Sequence, residues 1–247
     1  MSFTAAVNGV RLFYRDSGEG QPLLMLHGFT GSGDDWKHVF AEPITEYRVI
    51  APDLRGHGRS TNPSGSFRFA DVARDIYALL DQLGIDRVAA IGISAGANTL
   101  LHMATQQPAR IGAMIHVSGT PRFPDHARAI MRTMTEEGRS TAEWTEMRGR
   151  HHQGDEQIRA LWRHVREFAD DRDDMNFDAA KLATITARTL IVHGDRDPLY
   201  PLELAVELFR AIPNAALHVV PNGGHGPIFG ELAPPFVRTA TSFLTAN

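Results

Sequence analysis

A serine flanked by glycines, directly after an apolar segment, constrains this chain more than any other feature. Residues 92–96 read Gly-Ile-Ser-Ala-Gly and follow the apolar run 88–91. A Gly-x-Ser-x-Gly sequence between a strand and a helix is typical of a sharp turn that exposes the serine hydroxyl. Such a turn strains the backbone at Ser94 and leaves no room for side chains at Gly92 and Gly96. The alternative interpretation is a glycine-rich strand-to-helix turn with a passive serine.

Strands and helices alternate around this turn. Apolar residues recur at helical spacing from Phe69 to Leu83, and Gly84 stands where a helix would end. Two segments flanking Asn8-Gly9 predict a hairpin at the start of the chain. Buried strands are predicted for the apolar segments 23–26, 47–51, 88–91, 111–117, 189–192 and 217–220. Because strands that alternate with helices form parallel sheets, we expect an α/β fold.

The pattern changes between residues 120 and 186, where strand-like segments give way to helical ones. Apolar residues at helical spacing occur within 127–134, 144–147 and 158–168. We predict that 120–186 is a helical cap inserted into a core domain made of residues 1–119 and 187–247. The alternative interpretation places these helices in the outer layer of a single domain.

Composition excludes several classes of function. The 247-residue chain has a net charge of −4 and no Lys/Arg-rich segment, so neither nucleic acid nor an anionic membrane is an expected partner. It has no cysteine, which excludes disulfides, thiolate zinc sites and iron–sulfur clusters. No apolar run approaches the roughly 18 residues of a membrane span. Because the first residues do not read as a signal peptide, we expect a cytoplasmic protein. The sequence leaves open whether it is a monomer or a homodimer.

The chain resembles the α/β-hydrolase superfamily along nearly all of its length. Four landmarks occur in the family's order. They are His27-Gly28-Phe29 after an early strand, the segment 53–60, the turn at Ser94, and an acidic loop followed by a histidine after the last strand. The resemblance implies an α/β-hydrolase fold with a mostly parallel eight-stranded sheet, helices on both faces and a helical cap. It also implies a small ester-like substrate and neither a cofactor nor a metal.

The resemblance further implies a Ser-His-Asp triad. Ser94 is the candidate nucleophile, and His225, in a Gly-Gly-His-Gly loop, is the candidate base that activates it. Asp197 is the acid expected to orient His225. The same loop offers Asp195 as the alternative acid, although Asp195 is also suited to bonding backbone N–H groups of its own loop.

Two backbone N–H groups, those of Phe29 and Ala95, are the expected oxyanion hole. The Phe29 side chain and Trp144 in the cap are the predicted substrate contacts. Four other cap residues either line the same apolar pocket or pack within the cap itself: Met131, Met134, Met147 and Trp162.

The remaining histidines are assigned no chemistry. His27, His57 and His193 lie at strand ends or in turns, and the family resemblance makes them structural. His151 and His152 are adjacent, and adjacent residues on a helix do not share a face. We therefore expect this pair to be solvated and not to bind a metal.

The leading prediction is a serine hydrolase that cleaves a carboxylic ester, lactone or thioester through an acyl-enzyme. Residues 26–36 also resemble the menaquinone-pathway synthase group, which eliminates pyruvate with the same triad. That group carries an arginine four residues after the nucleophile, where this chain has Asn98. A lyase of that type, a carbon–carbon bond hydrolase and a cofactor-free perhydrolase are the alternative enzymes. A non-catalytic ligand receptor is the alternative of another class.

Overall fold

The computed structural model describes residues 1–42 and 44–246, which form one eight-stranded sheet flanked by helices. The strands are β1 (Ser2–Val7), β2 (Val10–Ser17), β3 (Gln21–Leu26), β4 (Tyr47–Pro52), β5 (Val88–Ile93), β6 (Ile111–Val117), β7 (Arg188–Gly194) and β8 (Ala215–Val220). The α-helices are α1 (Phe69–Gln82), α2 (Ala95–Gln106), α3 (Asp125–Arg132), α4 (Thr141–Arg150), α5 (Asp155–Phe168), α6 (Ala179–Leu182), α7 (Leu202–Ala211) and α8 (Ala233–Thr245). Within these two ranges, no helix is both long enough and apolar enough to cross a membrane.

The sheet is mostly parallel, as the sequence predicts. Its strand order is β1-β2-β4-β3-β5-β6-β7-β8, and only the β1–β2 and β2–β4 pairs are antiparallel. Asn8 and Gly9 connect β1 to β2 with φ values of 46° and 78°, and two positive φ angles are what a type I′ turn requires. The predicted hairpin and α/β-hydrolase fold are therefore confirmed.

Helices cover both faces of the sheet, because alternate residues of each buried strand point to opposite sides. Leu24 and Leu26 of β3 pack in the cluster that contains the apolar residues of α1 and α2. Their neighbours Leu23 and Met25 pack in a second cluster, which contains Phe236 and other residues of α8. This two-sided burial explains why β3 reads as a continuous apolar run in the sequence.

Parallel pairing brings the loops that carry the candidate residues to one edge of the sheet. The loops after β3, β5, β7 and β8 all leave the carboxyl ends of parallel strands. Hydrogen bonding continues past the strand ends, since the Ser94 N–H donates to the Val117 carbonyl over 2.8 Å. Ligands bind at this edge in open α/β sheets.

The segment predicted as a cap contains α3, α4, α5 and α6. Its only β pairing among the described residues is a single bridge between Arg122 and Asn176. The helix α5 packs against both α3 and α4. The predicted boundaries lie between β6 and α3 and immediately before β7.

Candidate active site

Ser94 is the single residue between β5 and α2, and its backbone is strained. Its φ of 52° and ψ of −112° lie in a region that non-glycine residues rarely adopt. A Cβ on Gly92 would lie 2.6 Å from the Gly96 carbonyl carbon, and one on Gly96 would lie 2.2 Å from the Leu26 oxygen. Both glycines are therefore required by close backbone approach, which is the reason the sequence pattern predicts this turn.

His225 lies in the loop between β8 and α8, and its ring bridges the other two predicted triad residues. Its Nε2 is 2.8 Å from the Ser94 Oγ, and its Nδ1 is 2.8 Å from the Asp197 Oδ2. An ionised carboxylate only accepts hydrogen bonds, so Nδ1 carries the proton and Nε2 accepts from the hydroxyl. The structure thus brings all three side chains into one hydrogen-bonded chain.

The side chain of Asp197 is completely buried, and both of its carboxylate oxygens accept hydrogen bonds. Its Oδ1 accepts from the backbone N–H groups of Leu199 (2.8 Å) and Tyr200 (3.1 Å). Burial alone raises the pKa of Asp197, but the bond from His225 and the two backbone donors together lower that pKa below its usual value. The alternative acid, Asp195, is partly exposed, and its carboxylate faces Arg196 instead of His225.

The two predicted oxyanion donors lie beside Ser94. Ala95 is the first residue of α2, so its N–H has no acceptor within the helix. Phe29 follows Gly28, and a Cβ built on Gly28 would lie 3.6 Å from the Ser94 Cβ. Within the described ranges, the Phe29 N–H donates to neither backbone nor side chain. Two unengaged N–H groups therefore flank the serine at the start of a helix, where negative charge is favoured.

A cavity of about 360 Å³ opens onto Ser94 and His225, between the sheet edge and the helices α3, α4 and α5. Its wall is mostly apolar and aromatic. The apolar side chains on it are Phe29, Phe69, Phe123, Ile130, Met131, Met134, Met147, Trp162, Val165, Phe168 and Leu199. The four cap residues whose role the sequence leaves open all lie on this wall. These residues can therefore pack against neighbouring helices and also face the cavity, so the two roles do not exclude each other.

Trp144, one of the two predicted substrate contacts, does not line this cavity. Its ring packs edge-on against Trp162, with centroids 4.7 Å apart. The guanidinium groups of Arg148 and Arg159 lie 5.0 Å and 5.5 Å from the centroid of the Trp144 ring. Trp162 is the tryptophan on the cavity wall, whereas Phe29 lines the cavity as predicted.

Two ion pairs form the polar part of the cavity wall. Arg139 Nη1 lies 3.0 Å from Glu143 Oε1, and Arg150 Nη2 lies 3.0 Å from Glu146 Oε1. Both glutamates belong to α4, and all four side chains line the cavity. Each cation is therefore matched by a carboxylate one helical turn away.

Thr30, Asn98 and Tyr200 add uncharged polar groups to the wall. The spacing from the nucleophile marks Asn98 in the sequence, whereas no prediction placed Tyr200 near the site. Asn98 is buried, and its Oδ1 accepts from the Thr120 N–H over 3.0 Å. Tyr200 lies edge-on to His225, with ring centroids 5.3 Å apart, and burial raises the pKa of its phenol. Only the position of Tyr200 three residues after Asp197 could have marked it.

His27, His151 and His193 are buried histidines whose rings form hydrogen bonds to the backbone. His27 Nε2 accepts from the Leu54 N–H over 2.9 Å, and His193 Nε2 donates to the Tyr200 carbonyl over 2.8 Å. The prediction that His151 is solvated is wrong, because that ring is 2% exposed and hydrogen-bonded through both nitrogens. Among the residues that the structure describes, no three potential ligands are grouped as a metal ion would need.

Comparison with family models gives two matches along the chain. A model described as alpha/beta hydrolase fold matches residues 21–137, and one described as TAP-like protein matches residues 170–246. The first match includes Ser94, and the second includes Asp197 and His225.

Similar proteins cover nearly the whole chain. A 2-hydroxy-6-oxononadienedioate/2-hydroxy-6-oxononatrienedioate hydrolase of Pseudomonas putida is 29% identical over 270 residues, which cover 95% of this chain and 92% of the relative. A serine hydrolase of Homo sapiens is 28% identical over 262 residues, which cover 98% and 86%. The solved structure of an alpha/beta hydrolase enzyme from a Medee basin deep-sea metagenome library matches with a TM-score of 0.83. Its sequence is 18% identical, and the match covers 99% of this chain and 98% of that one.

Proposed function

This chain belongs to the α/β-hydrolase superfamily, and we propose that it hydrolyses carboxylic esters through an acyl-enzyme on Ser94. The observation that carries the proposal is the continuous hydrogen-bonded chain from the Ser94 hydroxyl through His225 to Asp197, with 2.8 Å at each step. A serine hydroxyl is a weak nucleophile until a base removes its proton. Nε2 of His225 is within the distance that this proton transfer requires.

Acylation follows from these contacts. As Ser94 Oγ attacks the ester carbonyl carbon, its proton passes to His225 Nε2, and the carbonyl electron pair moves to the oxygen. The N–H groups of Phe29 and Ala95 donate to that oxyanion, and each such donor is worth about 3–4 kcal/mol of barrier. When the intermediate collapses, the C–O bond breaks and the leaving alcohol takes the proton from His225.

Deacylation repeats the same steps with water. His225 accepts a proton from the water molecule as its oxygen attacks the acyl carbon, and the same two N–H groups bind the second oxyanion. Collapse returns the proton to Ser94 Oγ and releases the carboxylic acid. Throughout both steps, ionised Asp197 keeps the proton on Nδ1 and stabilises the imidazolium.

The substrate class that the cavity supports is an uncharged ester with an apolar acyl or alcohol group. The wall contributes a large apolar area, while the charges of Arg139 and Arg150 are offset by Glu143 and Glu146. A substrate carboxylate in this cavity would lose its hydration without gaining an unpaired cation, which is unfavourable. Asn98 adds no charge at the position where the lyase group carries arginine.

Carbon–carbon bond hydrolysis is the second candidate function. It is favoured by the Pseudomonas putida relative, whose name specifies hydrolysis of two hydroxy-oxo dicarboxylates and whose match covers 95% of this chain. A solved structure with a TM-score of 0.79 is also described as a meta-cleavage product hydrolase. The same serine, histidine and aspartate would serve, but the substrate would bring two carboxylates to a wall whose arginines are already paired. The wall therefore favours the ester over the dicarboxylate.

Labelling with a fluorophosphonate probe tests the nucleophile. The purified protein should be labelled at one site, and Ser94→Ala should abolish labelling. Ser64→Ala, at an exposed serine outside the cavity, should label like the unmodified protein. Labelling that persists in Ser94→Ala would contradict the assignment.

A substrate panel tests the reaction. We expect p-nitrophenyl esters of neutral acyl chains to be hydrolysed in a Ser94-dependent manner. We expect 2-hydroxy-6-oxononadienedioate, the dicarboxylate in the relative's name, to be turned over at least about a hundredfold less efficiently. The reverse order of efficiencies would replace the ester proposal with the carbon–carbon bond hydrolase.

A further inference from the structure

His151, at the end of α4, connects the cap to two loops of the sheet edge. Its Nδ1 lies 2.9 Å from the Gly58 backbone nitrogen, and its Nε2 lies 3.0 Å from the Thr30 carbonyl oxygen. Because an amide N–H can only donate, Nδ1 is the acceptor, and Nε2 carries the proton that is donated to Thr30. Burial lowers the pKa of His151 to about 3, so the ring stays neutral with one donor and one acceptor.

The carbonyl that receives this bond belongs to the residue after Phe29. Phe29 and Thr30 occupy the centre of a turn that is closed by the Gly31 N–H donating to the Gly28 carbonyl over 3.0 Å. Thr30 has a φ of 62°, and the third position of such a turn normally requires glycine or asparagine. A β-branched residue in this conformation is strained, so contacts from outside the turn must hold it there.

The other side of the imidazole is attached to a rigid loop. A Cβ on Gly58 would lie 2.0 Å from Asp53 Oδ2, which accepts from the Arg59 N–H over 2.8 Å. The Gly58 carbonyl also accepts from the His152 N–H over 2.9 Å. Two hydrogen bonds, one to the His151 ring and one from the His152 N–H, therefore attach this segment to Gly58.

We propose that His151 is a positioning residue for the oxyanion hole: by bonding Gly58 and Thr30 together, it holds the strained turn that presents the Phe29 N–H to the reacting oxygen. This inference rests on the proposed ester hydrolysis. Arg150 assists, since its Nη1 lies 3.3 Å from the same Thr30 carbonyl. The helix α4 also supplies Glu143, Glu146 and Met147 to the cavity wall, and His151 follows directly after its last residue.

Two substitutions of His151 test separately its bond to the Gly58 N–H and its bond to the Thr30 carbonyl. In His151→Asn, the amide oxygen can replace Nδ1 toward Gly58, but the donor to Thr30 is lost. In His151→Gln, the longer side chain carries an N–H to the position of Nε2. With a p-nitrophenyl ester, we expect His151→Asn to lower kcat about 10- to 100-fold with KM within about twofold. We expect His151→Gln to stay within about fivefold of the unmodified kcat.

Relief of the strain at Thr30 distinguishes a positioning role of His151 from a merely structural one. If His151 only attached its segment to the sheet edge, removing this strain would not change kcat. Glycine adopts a positive φ without strain, so adding Thr30→Gly to His151→Asn should raise kcat at least about fivefold above that of His151→Asn alone. His152→Asn, at the exposed neighbour, is the matched control and should leave kcat unchanged.

Melting temperatures establish that the variants are folded, and Ser94→Ala measured in parallel separates the two proposals. Absence of Ser94-dependent turnover in the unmodified protein would overturn both of them. With that turnover present, an unchanged kcat in folded His151→Asn, a rise in KM alone, or no rescue by Thr30→Gly would overturn the positioning role and leave ester hydrolysis standing. If His151→Asn does not fold, a His151→Gln kcat reduced more than about tenfold in folded protein would overturn it.

Discussion

Asp197 holds His225 with one carboxylate oxygen and its own loop with the other. Oδ2 lies 2.8 Å from His225 Nδ1, while Oδ1 accepts from the backbone N–H groups of Leu199 and Tyr200. The acid is thereby fixed before it orients the imidazole. The sequence suggests Asp195 as the residue suited to bonding loop N–H groups, whereas the structure shows that Asp197 accepts such bonds.

The two aspartates of this loop therefore predict unequal effects. Asp197→Asn replaces an acceptor with a donor toward His225 and favours the wrong tautomer, so kcat should fall by about three to four orders of magnitude. Asp195→Asn, at a partly exposed side chain, should change kcat less than about twofold. Steady-state kinetics on one ester compare them, and a larger loss in Asp195→Asn would show that the acid is misassigned.

The glycines of the serine turn predict a loss of stability. In Gly96→Ala, the new methyl group would lie 2.2 Å from the Leu26 carbonyl oxygen, which is backbone and cannot rotate away. We expect the free energy of unfolding to fall by about 1–3 kcal/mol, as overpacking typically costs. Activity should fall as well, because β3 leads directly to Phe29.

Gly149→Ala is the control for that measurement. Gly149 is inside α4, and among the described residues no atom outside its chain neighbours and its own helical backbone lies within 4 Å of its Cβ position. Alanine should therefore stabilise the protein by about 0.5–1 kcal/mol. Denaturant unfolding measures both variants, and equal effects would mean that close approach at Gly96 is not what requires glycine.

Local sequence patterns predicted most of the fold, because periodicity records burial directly. The continuous apolar run in β3 and the helical spacing from Phe69 to Leu83 both reflect which faces are covered. The steric requirement at Gly92 and Gly96 is likewise local, so the position of Ser94 could be predicted. The preference for Asp197 over Asp195 depended on family resemblance, since both acids lie in one short loop.

The contacts of the helical segment 120–186 could not be predicted residue by residue, since their partners are distant in sequence. His151 reaches Gly58 and Thr30 across 93 and 121 residues, and nothing local indicates that these loops bury it. The choice between Trp144 and Trp162 depends on how α4 and α5 pack together, which helical spacing within either segment does not determine. Both outcomes therefore depend on how segment 120–186 packs against itself and against the sheet edge.

Buried neutral histidines predict acid sensitivity of the fold. Burial lowers the pKa of His102 to about 4 and that of His116 to about 3, whereas an unfolded histidine has a pKa of about 6.5. Between these values the unfolded state binds a proton that the folded state does not, so stability falls as pH falls through this window. Each such group removes about 1.4 kcal/mol per pH unit.

Replacement of His116 isolates one of these contributions. Neither nitrogen of its buried ring has a hydrogen-bond partner among the described residues. In His116→Leu, we expect the free energy of unfolding to fall less steeply from pH 6 to pH 5, by about 1 kcal/mol, than in the unmodified protein. His218→Gln, at an exposed histidine, should not alter the slope. An unchanged slope in His116→Leu would mean that His116 is already protonated in the folded state.

The pairing of Arg139 with Glu143 predicts that one substitution changes the charge preference of the cavity. In Glu143→Gln, the amide can still take part in the capping of α4 through Ser140, but Arg139 loses its carboxylate partner. An unpaired guanidinium on the wall binds carboxylates strongly. We therefore expect kcat/KM for a dicarboxylic acid monoester to rise about 10-fold or more relative to a neutral ester of equal length. Glu156→Gln, on α5 outside the cavity, should leave that ratio unchanged. If the ratio stays constant in Glu143→Gln, the paired arginines are not what excludes charged acyl groups, and the preference for neutral esters must arise from the apolar wall alone.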